Sequence, residues 1–184
     1  MRLSAEVTRA TNEGWVAYFV RAAAAFGLDP WVLMAIASRE TGMGGRKTAT
    51  GYQWLTTPGD AGHGFGMMQI DSRSFPEWTR LGHWRDAREG IWKGAEVLAA
   101  KRRDIVSREG LSLTVRERSG QTWPFVMPVL RGGALLDCAI AAYNSGDWAP
   151  YHVSRGRSPD YGTTGKNYAA DVRERAAEFY ELFR

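Results

Sequence analysis

A helix that is apolar on every side fits only in the middle of a core, and this chain contains one. The run Trp31-Val32-Leu33-Met34-Ala35-Ile36-Ala37 offers no polar face. Asp29 can cap its start, and Pro30 suits the first helical position. Beyond Ser38-Arg39-Glu40, the sequence Thr41-Gly42-Met43-Gly44-Gly45 should stop it. Such a helix needs other elements on all sides. A chain of 184 residues, 44% hydrophobic and 24% charged, supplies enough for one globular core and excludes disorder and fibrous repeats.

The rest of the chain reads as mainly α with a small Gly-rich lobe. Trp15 to Phe26 is Ala-rich and predicted helical. From Arg46 to Asp71, the punctuation by Gly51, Pro58, Gly59, Gly62, Gly64 and Gly66 predicts turns and short strands, with helical character only around Met67 to Ile70. Asp86-Ala87-Arg88-Glu89 reads as a capping box that opens a helix. On that helix Ile91, Ala95, Leu98, Arg102 and Ile105 share a stripe. Gly110 to Pro128 has no clear period and reads as a long loop. Further helices are predicted from about Gly133 to Tyr143 and over Tyr168, Val172, Ala176, Phe179 and Phe183. The expected organisation is a single domain over 1–184, with an N-terminal helical extension at 1–25 and a loop insertion at 110–128.

Charge and cysteine content exclude several classes. A formal +4, with 24 cations of which 20 are Arg, favours polyanions in general. The cations alternate with acids in Arg116-Glu117-Arg118 and Arg173-Glu174-Arg175, as on solvated faces, so nucleic acid is not an expected partner. One cysteine, Cys138, forms no internal disulfide and reads as a small core residue. Met1-Arg2-Leu3-Ser4-Ala5-Glu6-Val7 lacks the pattern of a signal peptide. The apolar stretch Trp15 to Phe26 is broken by Arg21 and too short for a bilayer. Cytoplasmic synthesis without a signal peptide and no membrane insertion are expected.

Glu40 is the most informative candidate. An apolar setting and the negative end of a helix dipole both favour a protonated carboxyl, the form a general acid needs. A solvated helix-end residue paired with Arg39 would show the same sequence. Asp60 and Asp71 lie in Gly59-Asp60-Ala61-Gly62-His63-Gly64-Phe65-Gly66-Met67-Met68-Gln69-Ile70-Asp71. Asp in such a stretch serves turns, yet three carboxylates about a cleft also suit glycoside hydrolysis, one as acid and another activating water. The spacing Gly62-x-Gly64-x-Gly66 is not that of a dinucleotide or phosphate loop. His63, His83 and His152 are scattered, so no zinc site is expected. Ala142-Tyr143-Asn144-Ser145-Gly146 ends a helix with a polar cluster. Trp54, Trp123 and Trp148 fall in loop-like sequence, where exposed rings can stack on sugars or bases.

Taken in order, Ala37-Ser38-Arg39-Glu40-Thr41-Gly42, Gly64-Phe65-Gly66-Met67-Met68-Gln69-Ile70-Asp71, Ala142-Tyr143-Asn144-Ser145-Gly146 and Asn167-Tyr168-Ala169-Ala170-Asp171-Val172 resemble the successive motifs of goose-type lysozymes. The soluble lytic transglycosylases share that ordering. The resemblance runs from about Phe26 to the C-terminus and implies an α+β lysozyme-like fold. It implies cleavage of the β-1,4 bond between N-acetylmuramic acid and N-acetylglucosamine in peptidoglycan glycan strands. By resemblance Glu40 is the catalytic acid, Asp71 and Asp60 hold the attacking water, and Gly66, Met67, Gln69, Tyr143, Asn144 and Tyr168 bind substrate. The stretch between Glu40 and Asp60 is longer than in the animal enzymes. The disulfides of the avian members are missing, which points to a microbial or phage setting and bacteriolytic use.

An inverting muramidase is therefore expected, acting as a monomer on the bacterial wall without metal or organic cofactor. A lytic transglycosylase, which gives 1,6-anhydro-muramic products and needs no second carboxylate, is the alternative enzyme. A non-catalytic wall-binding module is the alternative outside enzymology.

Overall fold

A computed structural model describes residues 3–117 and 119–184. Met1 and Arg2 of the N-terminal stretch, and Arg118 of the Arg116-Glu117-Arg118 run, lie outside the described residues. In chain order the elements are α1 (Ser4–Asn12), α2 (Trp15–Phe26), α3 (Pro30–Thr41), β1 (Lys47–Thr48), β2 (Gly51–Tyr52), α4 (Gln53–Thr56), β3 (Gly64–Phe65), β4 (Ile70–Asp71) and α5 (Pro76–Arg80). They continue with α6 (Ala87–Ser107), β5 (Ser112–Arg116), β6 (Thr122–Val126), α7 (Gly132–Ser145), α8 (Trp148–Ser154) and α9 (Tyr168–Phe183). The mainly α class with a few short strands is as the sequence implied. Two compact units divide the chain: the described residues of Met1–Glu96 with Val172–Arg184, and Val97–Asp171.

The first unit is organised on α3. The Asp29 carboxylate accepts the Trp31 N–H at 2.8 Å, and Pro30 occupies the first turn. Every side chain from Val32 to Ser38 is buried, and burying each of the large apolar ones contributes about 1.5–3 kcal/mol. Gly42 then turns the chain in the left-handed region at φ 59°. Its N–H and that of Met43 satisfy the carbonyls of Ser38 and Ala37. Three ties fix this helix end. Arg9 of α1 donates to the carbonyls of Gly42, at 2.5 Å, and Met43, at 2.9 Å. Arg175 of α9 donates to the Ser38 hydroxyl at 2.8 Å. The Thr41 hydroxyl lies 2.8 Å from the Met67 carbonyl and 3.1 Å from that of Ala37, and accepts the Gly44 N–H at 3.0 Å.

The Gly-rich segment after α3 forms two small antiparallel hairpins, β1–β2 and β3–β4. In the second, Gly64 pairs with Asp71 and Phe65 with Ile70. Met67 to Ile70, expected to have helical character, is a tight turn that enters β4. Gln69 sits at φ 49° and closes the turn through its N–H and its side-chain amide, both donating to the Gly66 carbonyl. Local hydrogen bonds replace the helical ladder there. Asp86 caps α6 as predicted, taking the N–H groups of Arg88 (2.7 Å) and Glu89 (3.2 Å). The Glu89 carboxylate pairs with Arg88 at 3.0 Å. The stripe of Ile91, Ala95, Leu98 and Ile105 is buried, as are Tyr168, Val172, Ala176 and Phe179 on α9.

In the second unit the structure corrects two expectations. Gly110 to Pro128 is not a loop: β5 and β6 pair antiparallel from Ser112↔Val126 to Arg116↔Thr122. Val115 and Phe125 are buried on one face while their neighbours stay exposed, the period of a half-buried strand. Trp148 does not sit in a loop but opens α8, where its ring packs against Tyr151 and His152. Trp123 likewise lies in a strand, β6, and Trp54, in the first unit, in the short helix α4, so neither is in a loop as expected. The Asp147 carboxylate takes two parallel bonds from Arg108, at 2.8 and 3.0 Å. Cys138 is fully buried, and burial pushes its thiol up to about 12. No helix among the described residues is long and apolar enough to cross a membrane.

Gly66 is a position in the first unit where both backbone angle and space exclude a side chain. Its φ is +73°, and a Cβ there would lie 2.9 Å from the Trp84 carbonyl oxygen. Gly66→Ala is expected to destabilise the protein by about 1–3 kcal/mol from backbone strain alone. Thermal unfolding should show a clear drop in Tm, and an unchanged Tm would contradict the close approach.

Candidate active site

Three local structures present the three acids. Glu40 is the next-to-last residue of α3 and is half-buried. It occupies the helix end that the sequence assigned to it, between Ser38, held by Arg175, and Thr41, which reaches the β3–β4 turn at Met67. Asp71 is the last residue of β4, opposite Gly64. Asp60 lies on the turn that precedes β3, where Gly59 and Gly64 exchange N–H···O bonds of 2.7 and 3.0 Å. Within that turn Asp60 (φ 45°) and Ala61 (φ 52°) both adopt the left-handed region. Side chains reach it rarely, and such strain concentrates at functional sites.

Asp60 and Asp71 are brought together by a residue that the sequence reading missed. The Arg73 Nε donates to Asp71 Oδ1 at 2.8 Å, and the Arg73 backbone N–H donates to the same oxygen at 3.1 Å. The Arg73 Nη2 lies 3.8 Å from Asp60 Oδ2. Ser74 donates its hydroxyl to Asp71 Oδ2 at 3.2 Å. Burial pushes the Asp71 carboxyl up, but the bonds from Arg73 and Ser74 outweigh it and hold the group below its ordinary value. Asp71 is thus kept as an anion that can accept a proton. An Asp-x-Arg-Ser sequence at a strand end can close such a turn, but nothing in its spacing reports that the guanidinium also reaches back across the hairpin.

The other predicted residues fall into two groups. Gly66, Met67 and Gln69 form the β3–β4 turn. The Met67 side chain is buried in the core and its carbonyl is taken by Thr41. Gln69 is half-buried and lies against Gly59 and Gly64, where a Cβ at either glycine would collide with its amide. In the second unit Tyr143 and Asn144 lie near the end of α7, and Tyr168 starts α9. The Asn144 amide oxygen accepts the Thr164 N–H at 3.0 Å, and Tyr168 is buried with its N–H donating to Thr163 at 3.3 Å. Among the described residues no three His, Cys, Asp or Glu side chains cluster in a way that would hold a metal.

A mainly α architecture, with a carboxylic acid at the end of a buried helix and a Gly-rich hairpin lobe bearing two further acids, is lysozyme-like. The chain is 32% identical over 154 residues to lysozyme G of Dromaius novaehollandiae, covering 84% of this chain and 59% of that protein. It is 32% identical to lysozyme g of Casuarius casuarius, covering 84% and 65%, and 31% identical to lysozyme g of Takifugu rubripes, covering 81% and 65%. The chain is thus similar to goose-type lysozymes, as the motifs implied. The chain spans 59–65% of their length. No family model matches it.

The held-down Asp71 carboxyl is directly measurable. Its titration midpoint, followed by carbon NMR of labelled aspartate, should fall below the ordinary value of 3.8. The stability it contributes should be full above 3.8 and lost as pH falls through the lower folded value. A midpoint at or above 3.8 would contradict the assigned hydrogen bonds.

Proposed function

We propose that this chain is a peptidoglycan hydrolase, a muramidase that cleaves the β-1,4 bond between N-acetylmuramic acid and N-acetylglucosamine with inversion. The observation that carries this reading is the pair Asp60 and Asp71, gathered by one guanidinium on the lobe that Thr41 ties to the helix of Glu40. The likeness to goose-type lysozymes supports the substrate class.

In the reaction Glu40 donates its proton to the glycosidic oxygen as the bond from that oxygen to the sugar C1 breaks. A water held by Asp71, with Asp60 beside it, attacks C1 from the opposite face. Asp71 takes a proton from that water, so the product carries a new hydroxyl at C1 and the acid and base have exchanged states. This geometry requires about 6.5–9.5 Å between the acid and base carboxyls, room for one water. Gly66, Gln69, Tyr143, Asn144 and Tyr168 are assigned to the glycan, with Met67 contributing through the backbone turn it belongs to. Residues 1–184 act as one catalytic module on the bacterial wall, as a monomer. The formal +4 charge draws the enzyme toward anionic wall polymers, an attraction that salt weakens.

Turbidity clearing of purified walls tests the assignment. Loss of a general acid removes about 10²–10⁴-fold in rate, so Glu40→Gln should clear walls at least about 100-fold more slowly than wild type. Mass spectrometry of the wild-type digest should show hydrated reducing ends. Equal clearing by both proteins, or by neither, would remove Glu40 from the mechanism, and 1,6-anhydro-muramic ends would establish a lytic transglycosylase.

A further inference from the structure

Arg73 sits where two anions would otherwise face each other. Like charges sharing a site disfavour ionisation of both, and an interposed cation removes that conflict. The planar guanidinium does more than neutralise. Its Nε is hydrogen-bonded to Asp71 at 2.8 Å, and its Nη2 faces Asp60 in an ion pair at 3.8 Å, so one planar group stands between the two carboxylates. Asp60 would otherwise depend on its strained turn alone, since its side chain is 71% exposed and Arg73 is its ion-pair partner among the described contacts. The arginine side chain is itself 54% exposed, and ion pairs this open add little to folding stability. Their effect belongs to the site rather than to the fold.

We infer that Arg73 is a positioning residue for water attack, one that spaces and orients Asp60 and Asp71 so that both carboxylates hold the same water. The inference rests on the reading of Asp60 and Asp71 as the water-holding pair. Arg73 acts through the two aspartates. The charged and titratable groups about Asp71 are Arg73, Asp60 and, through Ser72, His63, whose Nδ1 lies 3.4 Å from the Ser72 hydroxyl. Without the guanidinium, its hydrogen bond and its charge are lost while the backbone N–H of residue 73 and the Ser74 hydroxyl still donate, so the pH below which the base form of Asp71 is lost moves upward.

The test compares Arg73→Gln, Arg73→Lys and Asp71→Asn with wild type on a soluble glycan oligomer. Each is assayed in a His63→Gln background so that the imidazole does not enter the pH profile. Arg73→Gln should lower kcat by about 10- to 100-fold, as for a misplaced reacting group, with KM within about twofold. Its acid limb should move to higher pH while its Tm stays at that of the background protein. Arg73→Lys, which keeps the charge but loses the fork, should return the limb toward wild type while recovering only part of kcat. Wild-type kcat and an unmoved limb in Arg73→Gln, with Asp71→Asn inactive, would overturn the role of Arg73 alone. Wild-type activity in Asp71→Asn would overturn the underlying reading of the pair.

Discussion

The Thr41 hydroxyl joins the two parts of the first unit that carry acids. It meets the Met67 carbonyl across a buried contact and closes the last turn of α3 through Ala37, while accepting the Gly44 N–H. A buried hydrogen bond contributes only about 0.5–1.5 kcal/mol net, but a buried carbonyl left without a donor costs about 1–3 kcal/mol. The bond therefore sets register more than it adds stability. It fixes where the helix that ends in Glu40 stops relative to the turn that feeds Asp71. Arg9, reaching from α1 to the carbonyls of Gly42 and Met43, holds the same junction from the other side. Through Arg9, α1 is thus tied to the end of α3.

Around that junction the acids receive different treatment. Glu40 is half-buried, next to last in a helix whose side chains from Val32 to Ser38 are buried. Asp71 ends a strand in a turn rich in donors, which hold it as an anion. Opposite environments for two carboxylates are what separates an acid from a base in glycoside hydrolysis. Asp60 differs again, exposed on a turn whose left-handed φ values are maintained by the reciprocal Gly59–Gly64 bonds.

What was legible in the sequence followed from periodicity and caps. The helices α2 and α3, the cap of α6 and the buried stripe of α9 each have a repeated or terminal signal that local physics reads directly. The β5–β6 hairpin was illegible for a specific reason: Pro124, which argues against a strand, is tolerated because this two-stranded ribbon leaves edges that need no donor. The short helix α8 was hidden similarly, since Pro150 falls in its first turn, where a missing N–H costs little. Among candidate site residues, Glu40, Asp60 and Asp71 could be named from ordered motifs. Arg73, Thr41 and Arg9 could not, because each acts through a contact between segments that no local pattern encodes.

The anomeric form of the first product tests most directly whether Glu40 and the Asp60–Asp71 pair work from opposite faces of the sugar. Proton NMR, recorded within the first minutes of cleavage of a defined glycan and before mutarotation, reads it at the new reducing end. Cleavage of the β-linked substrate should yield the α-anomer first. Initial β-anomer, or a product with no reducing end, would contradict attack by a water held across the ring from Glu40.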